Sequence, residues 1–244
     1  DKDAKGTSPI FNMTSPTEQA RYNAGPPYLA TGRDFYQIVS KWVDVAPRVH
    51  KVFHHFMAEM HSYAVAAAHV GLPHQLTKKF MISNANVISE GWDFLRDVDR
   101  KDACRPDTTK YIDRMPYVLH YCQRYSLGRW FVGKYQLPEG MLHDCKAALL
   151  RRPQSNVGAE LDWFTYANGR EHQDLSRDEM RIKMNAFSMC TMMDDVNEVA
   201  TSMRQTHCST EDANYNETHI FVERNIFDEF LLNPVEAAAV REGK

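Results

Sequence analysis

The sequence predicts an α/β fold in which long helices flank a small mixed sheet. Apolar residues recur at helical spacing over about 31–69 and again over about 180–203, lengths that suit long helices. Short apolar runs lie between these two regions, bounded by polar residues or glycine, as buried strands are. Short strands among long helices place the chain in the α/β class.

Two helices are predicted in the first third of the chain. Residues 1–27 are rich in Ser, Thr, Pro and Gly and are expected to form an extended, loop-like segment. A helix is expected over 31–46, and Pro47 is expected to end it and start a longer one. That second helix should run to about residue 69, because Gly71-Leu-Pro73 follows as a stop signal.

The strands are predicted in the middle of the chain. The first is Phe80-Met-Ile-Ser83, and residues 84–114 after it are polar and poorly periodic, so we expect a long excursion there. A strand pair follows, with apolar runs at 117–119 and 130–132 separated by a polar turn. A loop punctuated by prolines then continues through Pro153.

A long helix is predicted near the C-terminus. Ser176-Arg-Asp-Glu179 has the pattern of a capping box, and the apolar stripe that follows it continues to Met203. A shorter helix over 220–232 and a polar tail complete the prediction.

The charge balance excludes one class of partner. The 244 residues carry 29 basic and 32 acidic side chains, a formal net charge of −3, without long runs of one sign. A protein whose main partner is nucleic acid would favour a basic face, so we expect no nucleic acid here. No apolar run approaches the roughly 20 residues of a membrane span, so any membrane anchor or targeting segment is expected outside this chain.

The odd number of cysteines permits two disulfides and one free thiol. Cys190 and Cys208 lie on one predicted helix, 18 residues apart. At ~1.5 Å per residue that spacing is roughly 27 Å, whereas a bridge needs Cα atoms within about 7 Å. Each of the two must therefore pair elsewhere or stay reduced. The five cysteines are Cys104, Cys122, Cys145, Cys190 and Cys208.

Two tripeptides have the pattern of N-glycosylation acceptors. They begin at Asn12 and Asn216, both in polar surroundings that suit surface glycans. They favour an address in the secretory pathway.

The segment around His120 is the strongest candidate site. His120 follows the apolar run at 117–119, and Gly128 and Lys134 come later in the same strand pair. Strand ends in α/β sheets are where ligands usually bind. An imidazole could ligate an ion, a glycine could admit backbone close to phosphates, and a lysine could neutralise charge, as a metal–diphosphate group requires. On the residues alone, a hydrogen-bonded histidine and a solvated lysine are the simpler interpretation.

Cys122 offers a different interpretation of the same segment. It alternates to the same face as His120, so a zinc site can be imagined. No second Cys–His pair at metal spacing accompanies it, which favours a buried cysteine instead.

Glu59 is the acidic residue that stands out. It lies at the margin of the apolar face of the second predicted helix, where partial burial would favour a chemical role. The alternative is a surface glutamate paired with His55 or a lysine. His50, His54 and His61 form a separate stripe on the same helix, for which a solvated face is favoured over an adventitious metal site.

Four blocks of the sequence together resemble a known enzyme family. In chain order they cover most of residues 23–210, and they resemble the C-terminal part of the plant and algal glycosyltransferases that modify hydroxyproline and serine in extensin-type proteins. These are the hydroxyproline O-arabinosyltransferases and, more closely, the peptidyl serine α-galactosyltransferases. The blocks are Asn23-Ala-Gly-Pro-Pro-Tyr28, Phe56-Met-Ala-Glu-Met-His-Ser-Tyr-Ala64, Met115 through Tyr135, and Asn185-Ala-Phe-Ser-Met-Cys190 continuing to His207-Cys208.

The resemblance implies a GT-A fold and a role for each candidate residue. His120 would be the C-terminal ligand of a Mn²⁺ ion that bridges the diphosphate of the sugar nucleotide, since Mn²⁺ accepts mixed imidazole and oxygen ligands. Lys134 would contact the diphosphate, and Gly128 would border the donor. The loop at Gly25 would line the sugar pocket. Glu59 would act as a base or position the sugar beside the acceptor.

The chain departs from the family pattern at its start. Enzymes of this kind bind the nucleotide with an N-terminal half that supplies an Asp-x-Asp metal site, and no strand followed by Asp-x-Asp precedes Asn23. We therefore expect the C-terminal half of a GT-A-like domain over 23–210, preceded by an extended segment, 1–22, and followed by a C-terminal helix and tail, 211–244.

The implied function is transfer of a sugar from a nucleotide-sugar donor to hydroxyproline or serine hydroxyls of secreted glycoproteins. The enzyme would work in the Golgi lumen or be secreted, and the isolated chain is expected not to turn over a sugar nucleotide. The alternative is a non-catalytic secreted or structural glycoprotein module that keeps this part of the fold without the nucleotide-binding half.

Overall fold

The structure is a computed structural model that describes residues 13, 15–23, 25, 27–55, 57–77, 79–127, 130–160, 179–216 and 218–219. The chain divides into two compact units, residues 1–77 and 78–244. Ser176 of the predicted capping box and the helix predicted over 220–232 lie outside the described residues. In the part of the chain that is described, no helix combines the length and apolar character needed to cross a bilayer.

In the described residues of the first unit there are three helices: α1, Pro16–Ala20; α2, Gly32–Val52; and α3, Ala58–His69. The hydroxyl of Ser15 caps α1, so part of the segment predicted as loop is a short helix. Thr31 caps α2, its Oγ1 accepting from the backbone N–H of Asp34 at 3.1 Å.

The prediction that Pro47 separates two helices is wrong. α2 runs through Pro47 and ends at Val52, and the break comes over residues 53–57. A proline inside a helix leaves the carbonyl four residues earlier without its N–H partner, here that of Val43. Val43 is 69% exposed and Pro47 is exposed too, so water can bond that carbonyl and the helix continues.

α2 and α3 pack through a small aromatic and alanine core. The indole Nε1–H of Trp42 reaches α3, where it donates to the backbone carbonyl of Glu59 at 3.1 Å and to Ser62 Oγ at 2.8 Å. Small residues on α3 let α2 approach closely. The buried apolar residues of this core are Ile38, Tyr63, Ala66 and Ala67.

The strands of the second unit form three two-stranded sheets within the described residues. In the first, β1 (Met81–Ile82) pairs in parallel with β2 (Val118–Leu119). In the second, β3 (Arg124–Leu127) pairs antiparallel with β4 (Trp130–Gly133). In the third, β5 (Leu149–Leu150) pairs in parallel with β6 (Thr218–His219).

The part of the second unit that the structure describes also contains α4, Val157–Glu160, and α5, Glu179–His207. α5 is the central element of the second unit and contacts β3, β4 and β5. Its buried Asn197 donates to the carbonyl of Leu150 and accepts from the N–H of the same residue, both at 2.8 Å, so a helix side chain satisfies the backbone of β5.

Residues 84–114 are part of the core, contrary to the predicted excursion. They form 3₁₀ helices at Trp92–Asp97, Arg100–Asp102 and Thr108–Arg114. The ring of Phe94 packs edge-on against Phe187 of α5, with centroids 5.0 Å apart. Short 3₁₀ helices have three residues per turn, so their buried residues leave no 3.6-residue pattern in the sequence. Trp92, Phe94, Leu95, Val98, Ala103 and Cys104 of this segment are buried.

Two disulfides join distant parts of the second unit. Cys104 pairs with Cys190, Cys145 pairs with Cys208, and Cys122 is free. This confirms that Cys190 and Cys208 do not pair with each other. The bridges span 86 and 63 residues, for which the loss of chain entropy in the unfolded state is roughly 4–5 kcal/mol per bridge.

Candidate functional site

His120 directly follows β2, at the carboxyl end of the parallel β1–β2 pair. Its backbone N–H donates to the carbonyl of Ile82 at 2.9 Å, which continues the pairing by one residue. The side chain is half-buried and is not enclosed in the core. Backbone hydrogen bonds therefore fix the main chain of His120 at the carboxyl end of β2.

Glu90 organises the neighbouring end of β1. Its Oε2 accepts from the backbone N–H groups of Ser83 and Asn84, at 2.6 and 3.0 Å, and its Oε1 accepts from the hydroxyl of Ser83 at 2.7 Å. Both carboxylate oxygens are therefore engaged in holding the turn after β1. Glu90 was not predicted to have a structural role, since a lone glutamate after a strand forms no pattern that indicates one.

Two tyrosines, the buried Tyr125 and the half-buried Tyr121, fix the backbone around His120. Tyr125 O–H donates to the carbonyl of Ser83 at 2.5 Å and lies 3.3 Å from that of His120, so it joins the two strand ends. Tyr121 O–H donates to Asp195 on α5 at 2.7 Å. Burial raises the pKa of both tyrosines, with Asp195 reinforcing the pKa shift of Tyr121, so both phenols stay protonated donors at neutral pH.

Cys122 lies beside the same strand ends. It is half-buried, and its Sγ is 3.9 Å from the carbonyl of Ser83. Among the described residues no group of three or more His, Cys, Asp or Glu side chains could hold a metal ion. The zinc site with His120 therefore gains no support.

The residues described near His120 do not form a complete Mn²⁺ site. Both carboxylate oxygens of Glu90 already accept hydrogen bonds, and the carboxylate of Asp195 accepts a hydrogen bond from the Tyr121 hydroxyl. His120 is left as a single imidazole, whereas Mn²⁺ takes about six donors, mostly oxygen. Further ligands would have to come from a bound diphosphate or from residues outside the described part.

The other residues of the strand pair that were predicted to bind the sugar donor are Lys134 and Gly128. Lys134 is exposed at the start of the 3₁₀ helix Lys134–Gln136, and its Nζ lies 4.9 Å from the ring centroid of Tyr135. A Cβ on Gly133 would lie 2.6 Å from Gln136 Oε1, so the end of the Gln136 side chain would have to move to admit it. Gly128 lies outside the described residues.

Glu59 and Gly25 belong to the first unit, whereas His120 belongs to the second. Glu59 is exposed in the first turn of α3, and the Gly25 Cα–H points toward the Met60 side chain, where a Cβ would lie 3.6 Å from the methyl group. Glu59 lines a surface depression of about 520 Å³ together with His50, His54 and His55. The roles predicted for Glu59 beside the acceptor and for Gly25 at the sugar pocket stay predictions.

An aromatic cluster in the first unit was not predicted. The rings of Tyr28 and Tyr63 stack with centroids 3.9 Å apart, and Tyr63 O–H is 3.0 Å from Nε2 of His74. Burial raises the pKa of Tyr28 to about 12, with the nearby Tyr63 and Glu59 adding to it, and burial lowers the pKa of His74. The Pro-Pro-Tyr28 sequence was the one available signal of a fixed aromatic ring.

Of the two glycosylation tripeptides, one can be located. Asn216 is exposed, and Thr218 of the same tripeptide is exposed at the start of β6. An oligosaccharide could therefore be attached there without disturbing the core. Asn12 lies outside the described residues.

A comparison of the chain with family models, with curated proteins and with solved structures found no match. The resemblance to the glycosyltransferases therefore depends on the four sequence blocks and remains a prediction.

Proposed function

We propose that this chain is the C-terminal portion of a glycosyltransferase that transfers a sugar from a nucleotide donor to hydroxyproline or serine hydroxyls of secreted glycoproteins. The observation that carries the proposal is the position of His120, half-exposed at the carboxyl end of a parallel strand pair. Ligands of α/β proteins usually bind at the carboxyl ends of the strands.

The strand edge is held rigidly enough to orient an imidazole. Ile82, Tyr125 and the Tyr121–Asp195 pair fix the backbone on both sides of His120. A preorganised first ligand costs little to order when a charged group binds. His120 would supply one ligand of a Mn²⁺ ion, which when bound offsets charge on the leaving diphosphate. The exposed ammonium group of Lys134 would help to neutralise the charge of the diphosphate.

The residue proposed to act on the acceptor hydroxyl is Glu59. Glu59 carries an exposed carboxylate on α3, and the backbone beneath it is fixed by the indole of Trp42. A carboxylate on a rigid helix can accept a proton from, or position, an acceptor hydroxyl. The loop at Gly25 would border the sugar.

Two disulfides agree with the proposed secretory address. Such bridges form and persist in oxidising compartments and are rare in the cytosol.

A second candidate is a non-catalytic secreted module. One contact favours it, because Glu90 uses both carboxylate oxygens to hold the turn after β1 and offers neither of them to a metal ion. In that case His120 and its neighbours maintain the fold.

The two candidates differ in metal-dependent binding of a uridine-diphosphate sugar. Calorimetry on this chain alone should detect weak binding or none, and binding should appear in a longer protein that carries a nucleotide-binding half. His120→Ala should weaken that binding at least about tenfold, because even partners of metal ligands contribute about 10–100-fold. His143→Ala, another exposed histidine of the second unit, should not change it.

Three results would each contradict a part of this proposal. Absence of binding in the longer protein favours the module. Equal binding by His120→Ala and the parent removes His120 from the site. Enzyme-like turnover by the isolated chain would instead show that residues 1–244 encode the nucleotide site themselves.

A further inference from the structure

The depression on the first unit contains a histidine pair at a helix end. His50 lies in the last turn of α2, and His54 follows just beyond its end at Val52. Both side chains are exposed, and both line the depression of about 520 Å³ that Glu59 also borders. The proposed transferase uses neither histidine.

The distance between the two imidazoles suits chelation of one metal ion. Their ring centroids are 5.3 Å apart, with the planes at 77°. Two imidazoles bound to a tetrahedral Zn²⁺ through nitrogens at about 2.0–2.1 Å hold their ring centres roughly 5 Å apart. The two rings are therefore about as far apart as two imidazoles that share one cation.

The remaining groups in the depression differ in what they can offer. Nδ1 of His55 accepts the backbone N–H of Met57 at 3.2 Å, which leaves the ring proton on Nε2 and no lone pair there for a metal. Glu59 presents an exposed carboxylate on the same rim. No three of the described side chains yet converge at metal distance, so Glu59 would complete the site by rotating its side chain.

We propose that His50 and His54 chelate a late first-row divalent cation such as Zn²⁺, with Glu59 as third ligand and water completing a tetrahedral shell. Imidazole and carboxylate together suit Zn²⁺, Ni²⁺ and Cu²⁺, whereas Mg²⁺ and Ca²⁺ prefer sites made only of oxygen. The site does not include His120, but a cation bound there would engage the Glu59 carboxylate that the proposed transferase uses toward the acceptor. The depression is exposed enough for the cation to exchange with solvent.

The test is titration of the complete chain with Zn²⁺ against a chromophoric chelator, without any sugar nucleotide. The parent should bind one Zn²⁺ in the first unit. His50→Gln and His54→Gln should each lower the affinity roughly 10–100-fold, because a chelate loses its intramolecular second contact. Glu59→Gln should lower it by a smaller factor. Imidazole NMR signals of His50 and His54 should shift together at one equivalent.

Two controls make the outcome specific. His61→Gln removes an exposed histidine of the same unit that packs on Phe53 instead, and it should keep the parent affinity within about twofold. His120→Ala should also bind Zn²⁺ as the parent does, so failure of the proposed function and failure of this site are distinguishable. Circular dichroism should show unchanged helix content in every variant.

The proposal is overturned if the parent does not bind Zn²⁺, if either glutamine variant at 50 or 54 binds as the parent does, or if His61→Gln weakens binding as much as they do. Unchanged affinity in Glu59→Gln would overturn the third ligand.

Discussion

Tyr121 and Asp195 are joined by a 2.7 Å hydrogen bond that connects the end of β2 to the middle of α5. The adjacent carboxylate, Asp194, pairs with Arg105 at 2.9 Å and with Arg152 at 2.7 Å. Two consecutive residues of one helix therefore hold three separate loops. The strand edge that presents His120 is fixed from α5 as well as from within the sheet.

Replacing Tyr121 with Phe should measure the contribution of this link. The variant loses one charge-assisted hydrogen bond from a half-buried site, so we expect the free energy of unfolding to fall by about 1–3 kcal/mol. Urea unfolding of the purified chain is the measurement. Tyr135→Phe is the control, because Tyr135 is 83% exposed and its loss should be below about 0.5 kcal/mol. Equal stability of Tyr121→Phe and the parent would contradict the structural role.

Mild acid should destabilise the first unit through His74. Burial lowers the pKa of this imidazole in the folded state, so the unfolded chain binds a proton at higher pH than the folded one. Stability is therefore complete above the unfolded pKa, about 6.5, and falls as the pH drops through that value toward the lower folded pKa. Hydrogen exchange of α3 amides between pH 7 and pH 5 is the measurement, after correction for intrinsic exchange rates.

His74→Gln should flatten that pH dependence, because the amide can still bond the Tyr63 hydroxyl but does not titrate. His61→Gln should leave it unchanged. An identical slope in His74→Gln and the parent would assign the effect to another group.

Gly158→Ala should destabilise the second unit. A Cβ at this position would run into the backbone carbonyl oxygen of Arg100, and a backbone atom cannot move aside as a side chain can. We expect a loss of about 1–3 kcal/mol in thermal or urea unfolding. Gly32→Ala is the matched control, because its Cβ would meet nothing within 4 Å and alanine favours the helix, so stability should rise by up to about 1 kcal/mol. A neutral Gly158→Ala would show that α4 shifts freely.

Peptide mapping without reduction should recover Cys104 linked to Cys190 and Cys145 linked to Cys208. Cys122 alone should react with maleimide after denaturation. The double variant Cys104→Ala/Cys190→Ala should lose about 2–5 kcal/mol of stability, whereas Cys122→Ala should lose far less. A peptide that contains Cys122 in a bridge would contradict the pairing.

The sequence was informative where a residue's surroundings are close in the chain. The runs at 81–82, 118–119 and 130–133 are strands, and the stripe from Met180 onward lies on α5, because alternation and helical period are local properties. The predicted pairing of the last two runs is wrong, because 118–119 pairs with 81–82 and 130–133 pairs with 124–127, which was expected to be a turn. The place of His120 at a strand end followed from the same local pattern.

The residues that fix the strand ends around His120 could not be predicted because they come from elsewhere in the chain. Glu90 precedes it by 30 residues and Asp195 follows it by 75, and neither belongs to a recognisable spacing. Residues 84–114 were misjudged for a related reason, since their aromatic residues are buried by 3₁₀ turns and by α5 rather than by a period of their own. At Pro47 the helix continues because solvent surrounds Val43, and helix propensities read from a single sequence do not include solvent exposure.

The pairing of cysteines also sets an order on biosynthesis. The chain leaves the ribosome from its N-terminus, so Cys104, Cys122 and Cys145 are all exposed as thiols before Cys190 and Cys208 are synthesised. During that interval any two of the three can form a wrong bridge, which a later thiolate must attack to reach the native pairs. The contacts between α2 and α3 join residues within 1–77, so that packing can form before the later cysteines are synthesised. Production in quantity should accordingly depend on a disulfide isomerase, and removal of Cys122 should reduce that dependence.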